Sequence, residues 1–165
     1  MFPEMRRKKQ QLSNEETEEI FRRGSHGVLA LLGNEGWPYA LPISYVYNGG
    51  KLYFHCALAG HKLEAIAREP RASFCVVDAD EVIPELFTSA YRSAIAFGRL
   101  RVLENREEII GALELLCGKY SPGLDTTEEI EKFLNSVCVL EMSVEHMSGK
   151  EGLELLRRRN ADREN

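Results

Sequence analysis

Hydrophobic and polar residues follow two different periods along the chain, and these separate helices from strands. Apolar positions three and four residues apart, the helical period, occur after Gly60 and Asn105. Runs rich in β-branched and aromatic residues, bounded by Gly, Pro, Asn or Asp, are typical of strands. The pattern predicts six strands, at residues 26–32, 37–47, 51–56, 71–77, 91–102 and 137–144.

Capping residues bound the helical segments. Ser13 and Glu16 form a capping box, and Gly24 ends the helix that follows. Asn105 and Thr127 are further N-cap residues. The predicted helices cover residues 14–23, the residues between Gly60 and Pro70, 106–120, 128–134 and 151–159. The other segments are predicted as a flexible arm at 1–12, a polar loop at 78–86 and a turn at 146–150.

This order of elements predicts a mainly β protein with peripheral helices. Asn48-Gly49-Gly50 is a strong hairpin signal between two of the strands. A six-stranded antiparallel barrel is the economical arrangement, because closure removes exposed strand edges. The chain of 165 residues has neither an internal repeat nor a linker. We therefore expect one domain over 1–165, with residues 145–165 as a C-terminal turn and helix.

The net charge of −5 argues against nucleic acid or an anionic membrane as the main partner. The basic run Arg6-Arg7-Lys8-Lys9 has no apolar segment behind it, and no apolar run reaches the roughly 20 residues that span a bilayer. We therefore expect a cytoplasmic protein. The four cysteines are scattered without a C-x-x-C, and the four histidines lack metal-binding spacing. Neither a disulfide framework nor a metal site is predicted.

The segment from Leu52 to Pro70 changes from strand to helix at Gly60, which places His61 and Lys62 in the first helical turn. Helix N-termini carry unpaired N–H groups and a partial positive charge, which suit a phosphate. Glycine also lets a ligand approach the backbone closely. This pattern predicts an anion site, and the alternative is an exposed lysine and a solvated histidine at an ordinary turn.

Six motifs in their order along the chain carry a resemblance to a known family. They are Tyr39-Ala40-Leu41-Pro42-Ile43-Ser44-Tyr45, Tyr53-Phe54-His55-Cys56-Ala57, Gly60-His61-Lys62, Glu69-Pro70-Arg71-Ala72-Ser73-Phe74, Tyr91-Arg92-Ser93-Ala94-Ile95-Ala96-Phe97-Gly98 and His146-Met147-Ser148-Gly149-Lys150-Glu151. The chain resembles the pyridoxamine-5′-phosphate-oxidase-like, FMN-binding split-barrel superfamily. Within it, the chain is most similar to the nitroimidazole-resistance (Nim-type) flavin-nucleotide-binding proteins. The resemblance implies a homodimer of six-stranded Greek-key split barrels, with two FMN molecules at the interface, each contacted by both chains.

The resemblance also implies which residues contact FMN, from the ring to the phosphate. They are Pro42, Ile43 and Ser44 at the isoalloxazine ring, His55, Cys56 and Ala57 at its flank, Gly60, His61 and Lys62 at the phosphate and ribityl chain, and Arg92 and Ser93 near the phosphate. His146 is a further candidate near the flavin. Relatives outside this subgroup often carry Arg or Ser at positions 60 and 61, so here Lys62 and backbone amides would hold more of the phosphate charge.

Structural roles remain open for three of these residues. His55 lies among apolar residues, so it is equally compatible with a packing role. Pro42 is also compatible with a position in an edge strand. Arg92 is also compatible with an outward position on the surface. No residues match those that hold pyridoxal phosphate in true pyridoxamine phosphate oxidases.

The implied activity is that of a nitroreductase-like FMN-dependent oxidoreductase, which passes electrons from a reduced carrier to a small acceptor such as a nitro-aromatic. No catalytic side chain is nominated, since the flavin supplies the redox chemistry. Two alternatives stay open. One is a flavin-binding sensor whose flavin is not turned over. The other is a split barrel that holds a deazaflavin, or haem with His55 or His61 as the ligand.

Overall fold

The structure is a computed structural model that describes residues 2–163. These residues form one antiparallel sheet of seven strands, with five α-helices. The strands are β1 (His26–Leu32), β2 (Pro38–Ser44), β3 (Val46–Asn48), β4 (Lys51–Cys56), β5 (Arg71–Ile83), β6 (Thr88–Val102) and β7 (Cys138–Glu151). The helices are α1 (Asn14–Arg23), α2 (His61–Arg68), α3 (Arg106–Tyr120), α4 (Thr127–Phe133) and α5 (Leu153–Arg163). The fold is mainly β, as predicted, and has seven strands instead of six.

The strand order β2-β1-β5-β6-β7-β4-β3 makes β2 and β3 the two edges of the sheet. Only Tyr45 separates these edge strands along the chain, so the predicted strand at 37–47 is two strands. Because one residue joins the two edges, the sheet curls until they approach each other, and β2 contacts β4 without pairing with it. The rolled sheet is open along this line.

Tyr120, the last residue of α3, closes the junction at Tyr45. Its hydroxyl oxygen accepts a hydrogen bond from the Tyr45 backbone N–H at 2.8 Å and lies 2.9 Å from the Tyr45 carbonyl oxygen. The same hydroxyl contacts the carbonyl of Ser25. A phenol carries one proton, so it donates to one of these carbonyls at a time. One side chain therefore satisfies the backbone where the chain passes from one edge to the other.

Apolar side chains pack on both faces of the sheet. The inner cluster is centred on Phe74, whose ring meets those of Tyr45 and Phe54 edge-on at 4.7 and 5.2 Å between centroids. The outer cluster lies under α3 and α4, and its members are Val46, Leu103, Ala112, Leu113, Leu116, Ile130, Leu134 and Val139. Strand alternation divides β4 between them, with Phe54 inside and Tyr53 outside.

The predicted loop at 78–86 is wrong for most of its length. β5 continues through a bulge after Val77 to Ile83 and pairs with the start of β6. A 3₁₀ turn at Pro84–Leu86 joins the two strands. This part of the hairpin is largely exposed, and Phe87 at its turn is 98% exposed. A strand without a buried face shows no hydrophobic alternation, which is the signal on which the prediction depended.

The predicted turn at 146–150 is also wrong, because these residues belong to β7 and pair with β6. Gly149 suggested a turn, but it marks close packing. A Cβ at this position would lie 2.4 Å from the Thr17 hydroxyl oxygen of α1. The Leu12 N–H donates to the Gly149 carbonyl at 3.0 Å, so the N-terminal segment is tied to the same point. The last helix begins two residues later than predicted, at Leu153.

The predicted helix caps depend on local sequence, and two of three are confirmed. Ser13 and Glu16 form the capping box, and the Asn105 side chain accepts from the first-turn N–H groups of α3. At α4 the N-cap is Thr126 instead of Thr127, and it makes no side-chain capping bond. Among residues 2–163, the helices are too short or too polar to cross a bilayer.

Tyr120→Phe removes the hydroxyl that pairs the Tyr45 backbone. We expect the free energy of unfolding to fall by about 1–3 kcal/mol, the cost of leaving a buried polar group unpaired. Urea denaturation measures the change. Tyr91→Phe, which removes a hydroxyl away from this junction, is the control. Equal stability of the two variants would contradict the role of Tyr120.

Gly60→Ala tests the backbone that begins α2. Gly60 has φ 131° and ψ 173°, a region that is essentially restricted to glycine, although a Cβ there meets nothing within 4 Å. We expect a loss of roughly 1–3 kcal/mol of stability from backbone strain. Gly111→Ala in α3 is the matched control, since it has the same open space without positive φ. It should gain up to about 1 kcal/mol from helix propensity. Parallel effects of the two substitutions on urea unfolding would be inconsistent with strain at Gly60.

Candidate functional site

The first turn of α2 presents unpaired donors. The Gly60 carbonyl accepts from the N–H groups of Leu63 and Glu64 at 2.9 and 3.3 Å, and no side chain caps the helix. The N–H groups of His61 and Lys62 precede these in the turn, where a helix offers no internal partner. Together with the Lys62 ammonium, they are the donors of a candidate anion site, the anion-binding turn.

Two contacts fix this turn at one end of the rolled sheet. The His61 ring stacks on Tyr39 of β2, with 4.4 Å between the ring centroids. Lys62 lies near Cys138 at the start of β7, where burial raises the pKa of the thiol to about 11 and the Lys62 charge opposes this increase. Cys138 in turn lies directly opposite Cys56 at the end of β4. The start of α2 therefore lies between the β2 side of the sheet and the β4–β7 pair.

A cavity of about 410 Å³ lies between the outer face of the sheet and helices α3 and α4. Ser44 and His55 contribute polar groups from the sheet. The other lining residues, most of them apolar, are Leu113, Leu116, Cys117, Tyr120, Ser121, Glu129, Ile130, Phe133 and Val137. A mainly apolar cavity with a few polar groups is typical of small-molecule sites. Five residues lead from His55 to Gly60, a span of at most about 18 Å.

The structure divides the predicted ring contacts between the two faces of the sheet. Ser44 and His55 meet at the outer cavity, and Pro42 points to the same exterior. Ile43 and Cys56 instead pack against the inner core. Ala57 is exposed and follows β4 on the way to Gly60.

Arg92 is engaged in an ion network of the protein itself. Its guanidinium donates to Glu151 at 3.2 Å and lies 3.9 Å from Asp78. The Glu151 side chain is completely buried and also pairs with Arg159 of α5 at 2.6 Å. These contacts hold α5 against the sheet. A cofactor contact from Arg92 stays a prediction, and any such contact would compete with two carboxylates.

Ser93 lies at the far end of β5 from the anion-binding turn. His61 lies beside Gly33 and Tyr39, at the end of the β1–β2 pair that is level with Arg71 at the start of β5, whereas Ser93 pairs with Val77. Six residues of strand separate these positions, on the order of 20 Å. Within one chain, Arg92 and Ser93 are therefore not brought together with Gly60, His61 and Lys62.

His146 lies in β7 beside the N-terminal segment. The Phe2 ring stacks on it with centroids 4.6 Å apart and planes 10° from parallel. Phe97 of β6 flanks the pair. His146 is therefore covered by its own chain on this face.

Sequence reasoning missed Tyr39, Tyr120 and Cys138 at these sites. In the sequence, Tyr39 is only one residue of a longer motif. No sequence pattern around Tyr120 indicates that it lines a cavity. Cys138 gains its position from the register of β4 with β7. Among residues 2–163, no group of three His, Cys, Asp or Glu side chains is placed to hold a metal ion.

Solved structures with the same fold include several flavin-related proteins. A candidate 5-nitroimidazole antibiotic resistance protein from Bacteroides thetaiotaomicron is 22% identical, with a TM-score of 0.75 over 86% of each chain. The FAD and haem binding protein from Mycobacterium smegmatis is 26% identical, with a TM-score of 0.74 over 87% of this chain and 73% of that one. A FAD-binding protein from Mesorhizobium loti is 23% identical, with a TM-score of 0.64 over 86% and 96%.

No protein of curated function matches the chain. The model of the pyridoxamine 5′-phosphate oxidase family, in contrast, matches residues 13–151. This range contains the anion-binding turn, both cysteines beside it and the cavity at Ser44 and His55. The chain therefore belongs to the pyridoxamine 5′-phosphate oxidase family.

Proposed function

We propose that this chain binds FMN and passes electrons through it to a small acceptor such as a nitro-aromatic. The observation that carries the proposal is the combination of an uncapped first turn at α2 with a mainly apolar cavity only five residues away along the chain. A ligand with a phosphate at one end and a flat aromatic ring at the other matches both parts. The two FAD-binding relatives support a flavin as that ligand.

The anion-binding turn offers donors that suit a phosphate group. The turn offers the N–H groups of His61 and Lys62, one ammonium and one imidazole. Gly60 leaves open space above the backbone, so a phosphate oxygen has room to reach these donors. This set of donors favours FMN over a flavin without a phosphate.

The cavity suits the isoalloxazine ring. Ser44 and His55 offer hydrogen-bonding groups to a polar ring edge, whereas the α3 and α4 side chains would cover the apolar part and exclude water. A bound flavin supplies one- and two-electron redox chemistry, and the residues of the chain position and tune it. No side chain is assigned as an acid or a base.

A homodimer is part of the proposal, and an exposed row of residues supports it. Pro42, Val28, Cys75 and Ile95 lie side by side across four neighbouring strands. Val28 is 42% exposed and Ile95 is 36% exposed. An apolar surface that continues to Pro42 suits contact with a second copy. A second copy would also add the phosphate contacts that Arg92 and Ser93 of the same chain do not reach.

FMN and riboflavin differ only in the phosphate, so their comparison tests where the phosphate binds. We expect Lys62→Ala to weaken FMN binding ten- to a hundred-fold, because it removes a charged hydrogen bond worth about 1.5–3 kcal/mol. Riboflavin affinity should not change. Quenching of flavin fluorescence measures both affinities. Lys9→Ala, at an exposed position in the N-terminal segment, is the control. An equal loss for both ligands would place the phosphate elsewhere.

Electron transfer is tested on the flavin-loaded protein. After anaerobic reduction, we expect a nitroimidazole to restore the absorbance of oxidised flavin in proportion to the nitro compound added. Failure to reoxidise with several acceptors, despite tight FMN binding, would instead favour the flavin-binding sensor.

Haem is the second candidate, because the FAD and haem binding relative is 26% identical and His55 lines the cavity of this chain. The absorption spectrum of the purified protein distinguishes the two cofactors. A Soret band that is lost in His55→Ala would support haem in place of the flavin ring.

A further inference from the structure

Cys56 and Cys138 form a cross-strand pair of thiols. Cys56 ends β4, Cys138 begins β7, and the two are directly opposite in the antiparallel register. Opposite Cα atoms in such a pair lie about 4.5–5.5 Å apart, which is inside the range of about 4.4–6.8 Å that disulfides span. Both side chains pack on the inner face of the sheet, and the two thiols are close enough for Cys56 to affect the pKa of Cys138.

The two thiols differ in their access to solvent. Cys138 is 7% exposed, whereas Cys56 is half-buried at the end of its strand. Burial raises the pKa of Cys138 to about 11, with smaller contributions from the charge and hydrogen bond of Cys56. Lys62 acts in the opposite direction and favours the thiolate. Cys56 is therefore placed to react first, and Cys138 to react second from inside.

We propose that Cys56 and Cys138 are a redox-active dithiol that closes reversibly to a disulfide by exchange with a low-molecular-weight disulfide. The Cys56 thiolate attacks one sulfur of the small disulfide, forms a mixed disulfide and releases one small thiolate. Cys138 then loses its proton and attacks the Cys56 sulfur, which releases the second small thiolate. In total, two protein thiols are oxidised and one small disulfide is reduced to two thiols.

The first step prepares the second. Once Cys56 carries the small thiol, it has neither a thiolate charge nor the same hydrogen bond to Cys138. Two of the three causes that raise the pKa of Cys138 are then removed. Burial still raises this pKa, and the charge of Lys62 lowers it. The loss of these two causes favours deprotonation of Cys138, the resolving thiol, in the mixed disulfide.

The other two cysteines have different surroundings. Cys75 lies on β5 in the outward row with Val28 and Ile95, and Cys117 lines the cavity under α3. Neither lies opposite another cysteine in the described sheet register. Reversible disulfides in reducing compartments are typically redox sensors or catalytic groups. The pair therefore provides a redox-sensitive bond between β4 and β7 beside the start of α2.

The test uses the full chain with Cys75→Ser and Cys117→Ser, which leaves only the proposed pair. The purified protein is equilibrated with mixtures of reduced and oxidised glutathione, and free thiols are then alkylated. We expect two free thiols to fall to none together, with the loss of two hydrogens by mass spectrometry and a proteolytic fragment that links Cys56 to Cys138. Dithiothreitol should restore both thiols. Peptide mapping of the wild-type chain under the same conditions should find the same link. This second measurement tests the proposal even if the double variant folds poorly.

Single variants in that background separate the two roles. Cys138→Ser should retain glutathione on Cys56 as a stable adduct, whereas Cys56→Ser should leave Cys138 largely unmodified. The proposal is overturned if both thiols persist in oxidised glutathione, if a glutathione adduct accumulates on the unsubstituted pair, or if the link joins two chains. The thiol count does not depend on flavin, whose binding is measured separately by absorbance, so the failure of either proposal is recognisable by itself.

Discussion

The passage of the chain through Tyr45, from one edge of the sheet to the other, is the constraint on which the rest of the structure depends. A sheet whose edges are joined by one residue has to roll, and the peptide groups at the joint lose their ladder partners. Buried peptide groups need substitutes, and the Tyr120 hydroxyl provides them. The neighbouring Lys119 ammonium lies 3.9 Å from the Tyr45 ring centre, and burial lowers its pKa to about 8. The last turn of α3 is thus attached to the sheet by polar contacts as well as apolar packing.

The cavity is a consequence of that closure. β2 is one edge strand and β4 is next to the other edge strand, so they approach only because the sheet rolls. Ser44 and His55 consequently line one space, and α3 supplies its wall. The anion-binding turn depends on a shorter stretch of chain, in which the backbone of Gly60 is decisive. The proposed cofactor site therefore combines a long-range part at the ring with a local part at the phosphate.

This division explains what the sequence could predict. The capping box at Ser13, the cap at Asn105 and the start of α2 all depend on residues within a few positions of each other, and all are found. The strand around Gly149 is wrongly predicted as a turn, because the glycine is required by close packing against α1, which is distant in the sequence. The outer part of the β5–β6 hairpin was missed because neither face is buried enough to impose alternation. The register of the paired strands brings Cys56 close to Cys138 and places Ser93 far from α2. The hydrophobic periodicity of a single sequence does not reveal this register.

The order in which the strands are synthesised has a consequence for folding. The β3–β4 hairpin forms from neighbouring residues, but the other side of β4 waits for β7, the last strand among residues 2–163. Tyr120 likewise meets Tyr45 from 75 residues away. Such non-local pairing slows folding, because loop closure precedes the contacts that compensate for it. Until β7 has left the ribosome, the nascent chain exposes an unpaired edge on β4. Exposed strand edges of this kind promote aggregation and are bound by chaperones.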